Sequence, residues 1–124
     1  MAQIEVLAAD QEKINRFGNL NSQCIALKME LEALEKKKES YQNSNDDLEE
    51  AQMMETFDKA PYQVGSAFVV LPIDTAIEEV DHDKGIIEQK ISQIKAQIDE
   101  RESEMSTLRT ALYAKFGREN INLG

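Results

Sequence analysis

His82 is the only imidazole in the chain and Cys24 the only thiol, so any histidine-based catalytic pair or metal cluster would rest on one residue. His82 stands in the charged run Glu78-Glu79-Val80-Asp81-His82-Asp83-Lys84 and reads as solvated surface. Cys24 falls on a repeating apolar pattern and reads as a small buried hydrophobe. The 24 Asp and Glu supply carboxylates in abundance, but no two of them stand apart from ordinary helix surface. The five glycines are scattered and make neither a P-loop nor a dinucleotide fingerprint. We expect no enzyme here, with no catalytic residue, no cofactor and no metal.

The chemistry left is apolar contact. Ile4, Val6, Leu7, Ile14 and Phe17 crowd the beginning of the chain, and Leu112, Tyr113, Phe116, Ile121 and Leu123 crowd its end. That is more apolar surface than the end of a two-helix structure can cover. Such surface marks either a binding site or a cap in which Phe116 and Leu123 fold back over the helix ends. The residues by themselves leave both readings open.

Two long helical arms position these ends. From Phe17 to Leu48 apolar residues recur in alternating steps of three and four, through Leu20, Cys24, Leu27, Leu31, Leu34 and Tyr41. Only Lys38 and Asn45 are polar among the ten positions. That is a heptad seam. A second seam runs through Ile77, Val80, Ile87, Ile91, Ile94, Ile98, Met105, Leu108 and Leu112, interrupted at Lys84, Arg101 and Lys115. Asp74 or Thr75 suits the N-cap of this second helix, with Glu78 completing a capping box. Gly85 predicts a bend or break over Asp81–Gly85, and Gly117 a C-cap. Arms of similar length fold back as a long antiparallel two-helix coiled coil, which brings Phe17 near Leu112 and Tyr113. The polar seam members fix register and sense.

Between the arms lies the one β-like run, Ala60 to Pro72. It is rich in aromatic and β-branched residues, closed by prolines and free of charge from Pro61 onward. Gly65-Ser66 suits a two-residue turn, so Pro61–Val64 pairs with Ala67–Leu71 in a hairpin. Two strands alone are marginal, and their open edges recruit further strands. Tyr62, Val64, Phe68, Val69 and Val70 therefore read as an assembly surface that other chains complete. The expected layout is one domain: a flexible N-terminus over 1–9, helix one over 10–56, the hairpin over 57–73, helix two over 74–117 and a tail over 118–124. The class is mainly α with a central β-hairpin.

Composition agrees with long helices: 31% of residues are charged, 6% aromatic, and there is no Trp. A net charge of −10 argues against nucleic acid or an anionic membrane as partner. No run approaches the roughly 20 apolar residues of a membrane helix, and the start lacks the features of a signal peptide. One cysteine cannot form an internal disulfide, which makes a reducing compartment, the cytosol, the default expectation.

Three stretches are similar to a known family. Leu112-Tyr113-Ala114-Lys115-Phe116-Gly117 with Ile121-Asn122-Leu123 resembles the C-terminal signature of a β-type prefoldin subunit. Asp10-Gln11-Glu12-Lys13-Ile14-Asn15-Arg16-Phe17 is similar to the opening of its first helix, and Pro61-Tyr62-Gln63-Val64-Gly65 with Phe68-Val69 to its hairpin. The chain departs from the family at Ser66, where Asp is frequent, and over Leu71–Gly85. The resemblance implies a subunit of a six-membered, ATP-independent cytoplasmic cochaperone. Its hairpin would join an intersubunit β-barrel with two α-type and three further β-type subunits. The coiled-coil tips would hold unfolded proteins of the actin and tubulin class and deliver them to the cytosolic chaperonin. Phe17, Leu112, Tyr113, Phe116 and Leu123 would then be the client-contacting residues. The rival expectation is a coiled-coil scaffold or adaptor that holds no client.

Overall fold

The computed structural model describes residues 5–53, 59–64 and 67–123, with side chains described over 5–53 and 72–123. The order is helix α1 (Ala8–Met53), strand β1 (Lys59–Val64), strand β2 (Ala67–Pro72) and helix α2 (Ile73–Phe116). Gly65-Ser66 lies outside the described residues, as do the side chains of Tyr62, Val64, Phe68, Val69 and Val70. The two backbones pair antiparallel, with Lys59 opposite Pro72, Pro61 opposite Val70 and Val64 opposite Ala67.

α1 opens where its backbone finds an acceptor. Gln11 N–H donates to the Leu7 carbonyl at 3.0 Å, the first helical bond, and Asp10 Oδ2 accepts the Leu7 N–H at 2.9 Å. An acid at the third helical position that reaches back to the cap N–H is one half of a capping box. The far end of α2 stops at Gly117, whose φ of 77° is the left-handed value glycine adopts without a Cβ clash. Gly117 N–H donates to the Tyr113 carbonyl at 2.8 Å, and the Asn120 side-chain amide covers the Phe116 carbonyl at 2.7 Å.

The heptad seam is what the helices bury. From Asn15 to Glu50 each seam residue of α1 is buried or half-buried, and among the others only Gln42 escapes full exposure. On α2 the buried set is Ile73, Ala76, Val80, Ile87, Ile91, Ile94, Ile98, Met105, Leu112 and Phe116. The expected break at Asp81–Gly85 is absent, since α2 runs unbroken through it. Glycine weakens a helix by about 1 kcal/mol. Val80 at 3% exposure and Ile87 at 4% flank Gly85 and keep the segment packed. The expected cap at Asp74 or Thr75 is also displaced, because α2 begins at Ile73. The Asp74 carboxylate accepts a hydrogen bond from the Gln52 amide of α1 instead.

The chain divides into two compact units. The first combines residues up to Leu31 with those from Ile94 onward, and the second spans Glu32–Gln93. In the first, Arg16 meets Glu104 and Gln23 meets Arg101, so the helices run antiparallel. In the second, Lys38 meets Glu88, Gln42 meets Lys84 and Gln52 meets Asp74, again antiparallel. Two long helices thus pack back on one another as a coiled-coil hairpin.

Candidate functional site

The ends of both helices meet in the first unit, hereafter the tip. Its core is Phe17, Leu20, Cys24 and Met105, with Leu108 and Leu123 packed on it. Leu20 and Leu112 are 1% exposed. The buried Cys24 thiol points at the Met105 thioether, 3.8 Å away. His82 is exposed in the other unit. Among the described residues no three His, Cys, Asp or Glu side chains are grouped to hold a metal ion.

The tip is laced across its helices by charge. Arg16 grips Glu104 with two bonds of 2.9 Å, Lys28 pairs with Glu102 at 2.8 Å, and Arg101 donates to the Gln23 amide oxygen at 2.7 Å. The Arg16 guanidinium holds the Glu104 carboxyl below its ordinary value, and Glu104 in turn raises Arg16. Glu102 likewise raises the Lys28 ammonium. Asp10 is only 6% exposed, and its Oδ2 accepts from Lys115 Nζ as well as from the Leu7 N–H. Both bonds hold the Asp10 carboxyl below the usual aspartate range, the one from Lys115 more strongly. One carboxylate therefore caps the first turn of α1 and fastens it to the last turn of α2.

The expected contact residues sit inside this arrangement. Phe17 is 5% exposed, Leu112 1% and Phe116 7%. Tyr113 is half-buried beneath the Arg118 guanidinium, 5.4 Å from its ring centroid, and Leu123 is half-buried on the tip core. Phe17 packs in one cluster with Met105 and carries Arg109 over its ring at 5.3 Å. In this state Phe116 is buried and Leu123 folds back over the core.

The apolar groups that do face solvent are others. Val6 and Leu7 are 55% and 50% exposed at the start of α1, and Ile25 and Met29 are 54% and 68% exposed on its outer face. Val6 and Leu7 stood out in the sequence as surplus apolar residues. Ile25 and Met29 fall off the seam, so the heptad pattern does not mark them. Their four-residue spacing, which puts both on one side of a helix, was the available signal.

Comparison with known proteins gives the arrangement a context. A family model described as "Prefoldin subunit" matches residues 11–119. The chain is similar to human prefoldin subunit 4, 30% identical over 122 residues, covering 97% of the chain and 87% of the human protein. It is 34% identical over 119 residues to a probable prefoldin subunit 4 of Dictyostelium discoideum, covering 96% and 87%. The Saccharomyces cerevisiae prefoldin subunit 4 is 29% identical over 119 residues, with 96% and 89% covered. The chain belongs to the prefoldin subunit family.

Proposed function

We propose that this chain is one subunit of a heterohexameric prefoldin cochaperone, which holds unfolded proteins at its tips without ATP and passes them to the cytosolic chaperonin. The observation that carries the reading is the sheet. β1 and β2 form a two-stranded sheet with each other alone among the described residues, so the outer edge of each has N–H and C=O groups left to pair. Such a ribbon is marginal in water, and closure into a barrel removes its edges. Two α-type and three further β-type subunits would supply the missing strands. Tyr62, Val64, Phe68, Val69 and Val70 would form the joint.

At the tip, Val6, Leu7, Ile25 and Met29 would be the first apolar groups a client meets. Phe17, Leu112, Tyr113, Phe116 and Leu123 would follow when the helix ends open, exchanging contacts with each other for contacts with client. Helix termini open at low free-energy cost compared with a core. Weak contacts from several arms add by multivalency, so the client leaves without fuel. The location in this reading is the cytoplasm, where actin- and tubulin-type clients and their chaperonin reside.

The burial of Phe17, Leu112 and Phe116 favours a second reading, a coiled-coil scaffold whose ends are merely sealed. Two measurements on the complex purified through a tag on this chain separate them. The native mass should correspond to six different small coiled-coil subunits, and a homodimer would overturn the assembly reading. The complex should suppress aggregation of a chemically unfolded protein. Ile25→Ser with Met29→Ser should lower that suppression at unchanged mass. A hexamer with no holding activity would establish the scaffold.

A further inference from the structure

A second feature of the tip is left unused by apolar holding. Between the helices a cavity of about 360 Å³ is lined by Asn21, Cys24 and Lys28 of α1 and by Glu102, Met105 and Arg109 of α2. That volume falls in the range of small-ligand sites. Its floor is apolar, formed by Cys24 at 3% exposure and Met105 at 7%. Lys28 and Glu102 on the rim already neutralise one another at 2.8 Å. Arg109 is different. Its guanidinium lies over the Phe17 ring, 5.3 Å from the centroid, and its Nε is buried with no acceptor. No carboxylate pairs with it among the described residues, in a chain where 24 Asp and Glu outnumber 14 Lys and Arg. A buried donor without an acceptor is costly and calls for an explanation.

We propose that this cavity is a carboxylate subsite, which takes an Asp or Glu side chain of an extended polypeptide held at the tip. The inference rests on the client-holding reading above and names the chemistry one of its contacts prefers. Charge complementarity selects the occupant. A guanidinium can also donate through its two Nη groups to both oxygens of a carboxylate, an ion pair that Arg109 lacks among the described residues. The Asn21 amide supplies a further donor across the cavity. The Cys24–Met105 floor suits the aliphatic stem of the incoming side chain. Glu102 would repel an anion were it not paired with Lys28. The tip thereby gains a charge preference that its near-neutral surroundings do not mask.

The test uses the assembled complex and two dye-labelled peptides of Leu and Ser that differ only in a central Glu or Gln, with binding read by fluorescence anisotropy. The Glu peptide should bind roughly threefold to tenfold more tightly, as one partly exposed charge-assisted pair allows. Arg109→Gln should abolish that advantage and leave the Gln peptide unchanged, and Arg109→Lys should keep part of it. Asn21→Leu, on the facing helix, should shrink the advantage even if Arg109 variants fail to assemble. Equal binding of the two peptides by the unaltered complex would overturn the subsite, and so would a preference that survives Arg109→Gln. Aggregation suppression measured on the same preparation keeps the two ideas apart. A complex that holds unfolded protein yet ignores the Glu–Gln difference loses the subsite alone. One that holds nothing loses the tip reading.

Discussion

The tip unit and the unit that contains the strands are built from the same two helices but balance charge to different degrees. Residues 1–31 and 94–124 carry 9 Asp and Glu against 8 Lys and Arg, a net charge of −1. Residues 32–93 carry 15 against 6, a net of −9, which is nearly the whole excess of the chain. The stretches 46–58 and 74–83, on either side of the strands, contain 11 acidic residues and no Lys or Arg. The tip matches cations to anions across the helices at 2.8–2.9 Å, and seals its end with Phe116 and Leu123. The other unit has a loose Lys38–Glu88 pair at 3.9 Å and an Asn45 that is 7% exposed with its Oδ1 unpartnered. A region that holds its own ends together contrasts with one that carries a net negative charge and a sheet of two strands. In the proposed complex the first is free to act and the second is where assembly supplies what the chain lacks.

That contrast can be broken most directly in the tip core. Leu20→Ala removes a side chain that is 1% exposed and should cost about 2–5 kcal/mol. Hydrogen exchange should show amides of the tip losing protection while those of residues 73–90 hold theirs. Equal loss in both would mean that the two units unfold as one.

Salt should act on the units with opposite signs. The Arg16–Glu104 pair is exposed, with side chains 51% and 43% accessible, so salt screens it and should slightly lower protection of the tip. In the acidic unit screening relieves like-charge repulsion and should raise protection. A common direction of change in both units, from low to moderate salt, would show that the charge asymmetry has no energetic consequence.

The smallest effect is the sharpest in residue terms. Lys115 and the Leu7 N–H hold Asp10 below its ordinary pKa, so the folded tip binds that proton less readily than the unfolded chain. The clasp is fully effective above the ordinary aspartate value of about 3.9 and is lost as pH falls through the lowered folded value. Amides of the first turn of α1 and the last turn of α2 should stay protected above the ordinary aspartate value of about 3.9 and open in more acidic solution. Asp10→Asn should show weaker protection of the same turns at neutral pH and a flatter acid limb. A variant with an unchanged acid limb would remove Asp10 from the account.

The seam was readable because burial along a helix follows a fixed period. Phe17, Leu20 and Cys24 on one arm and Ile87, Ile91, Ile94 and Ile98 on the other announce their buried faces by spacing alone. Capping was readable only in part. Gly117 is fixed by its own conformational freedom, but Asp10 acts as a cap because Lys115, 105 residues away in sequence, steadies the same oxygen. The break expected at Gly85 failed for a related reason. A local helix penalty of about 1 kcal/mol is smaller than the packing of its neighbours Val80 and Ile87. The sequence could also not assign the surplus apolar residues at the ends, since composition counts them without saying which are covered.

The amino-acid sequence alone determined the two amphipathic arms, the position of their seams and the acidic excess, because periodicity and charge are properties of local order along the chain. Tertiary structure decided the rest. It buried Phe17, Leu112 and Phe116, left Ile25 and Met29 facing water, and set Arg109 on a cavity whose one carboxylate, Glu102, is paired with Lys28. Those outcomes depend on which turns of two distant helices face each other, and that register is settled only when the seams interlock.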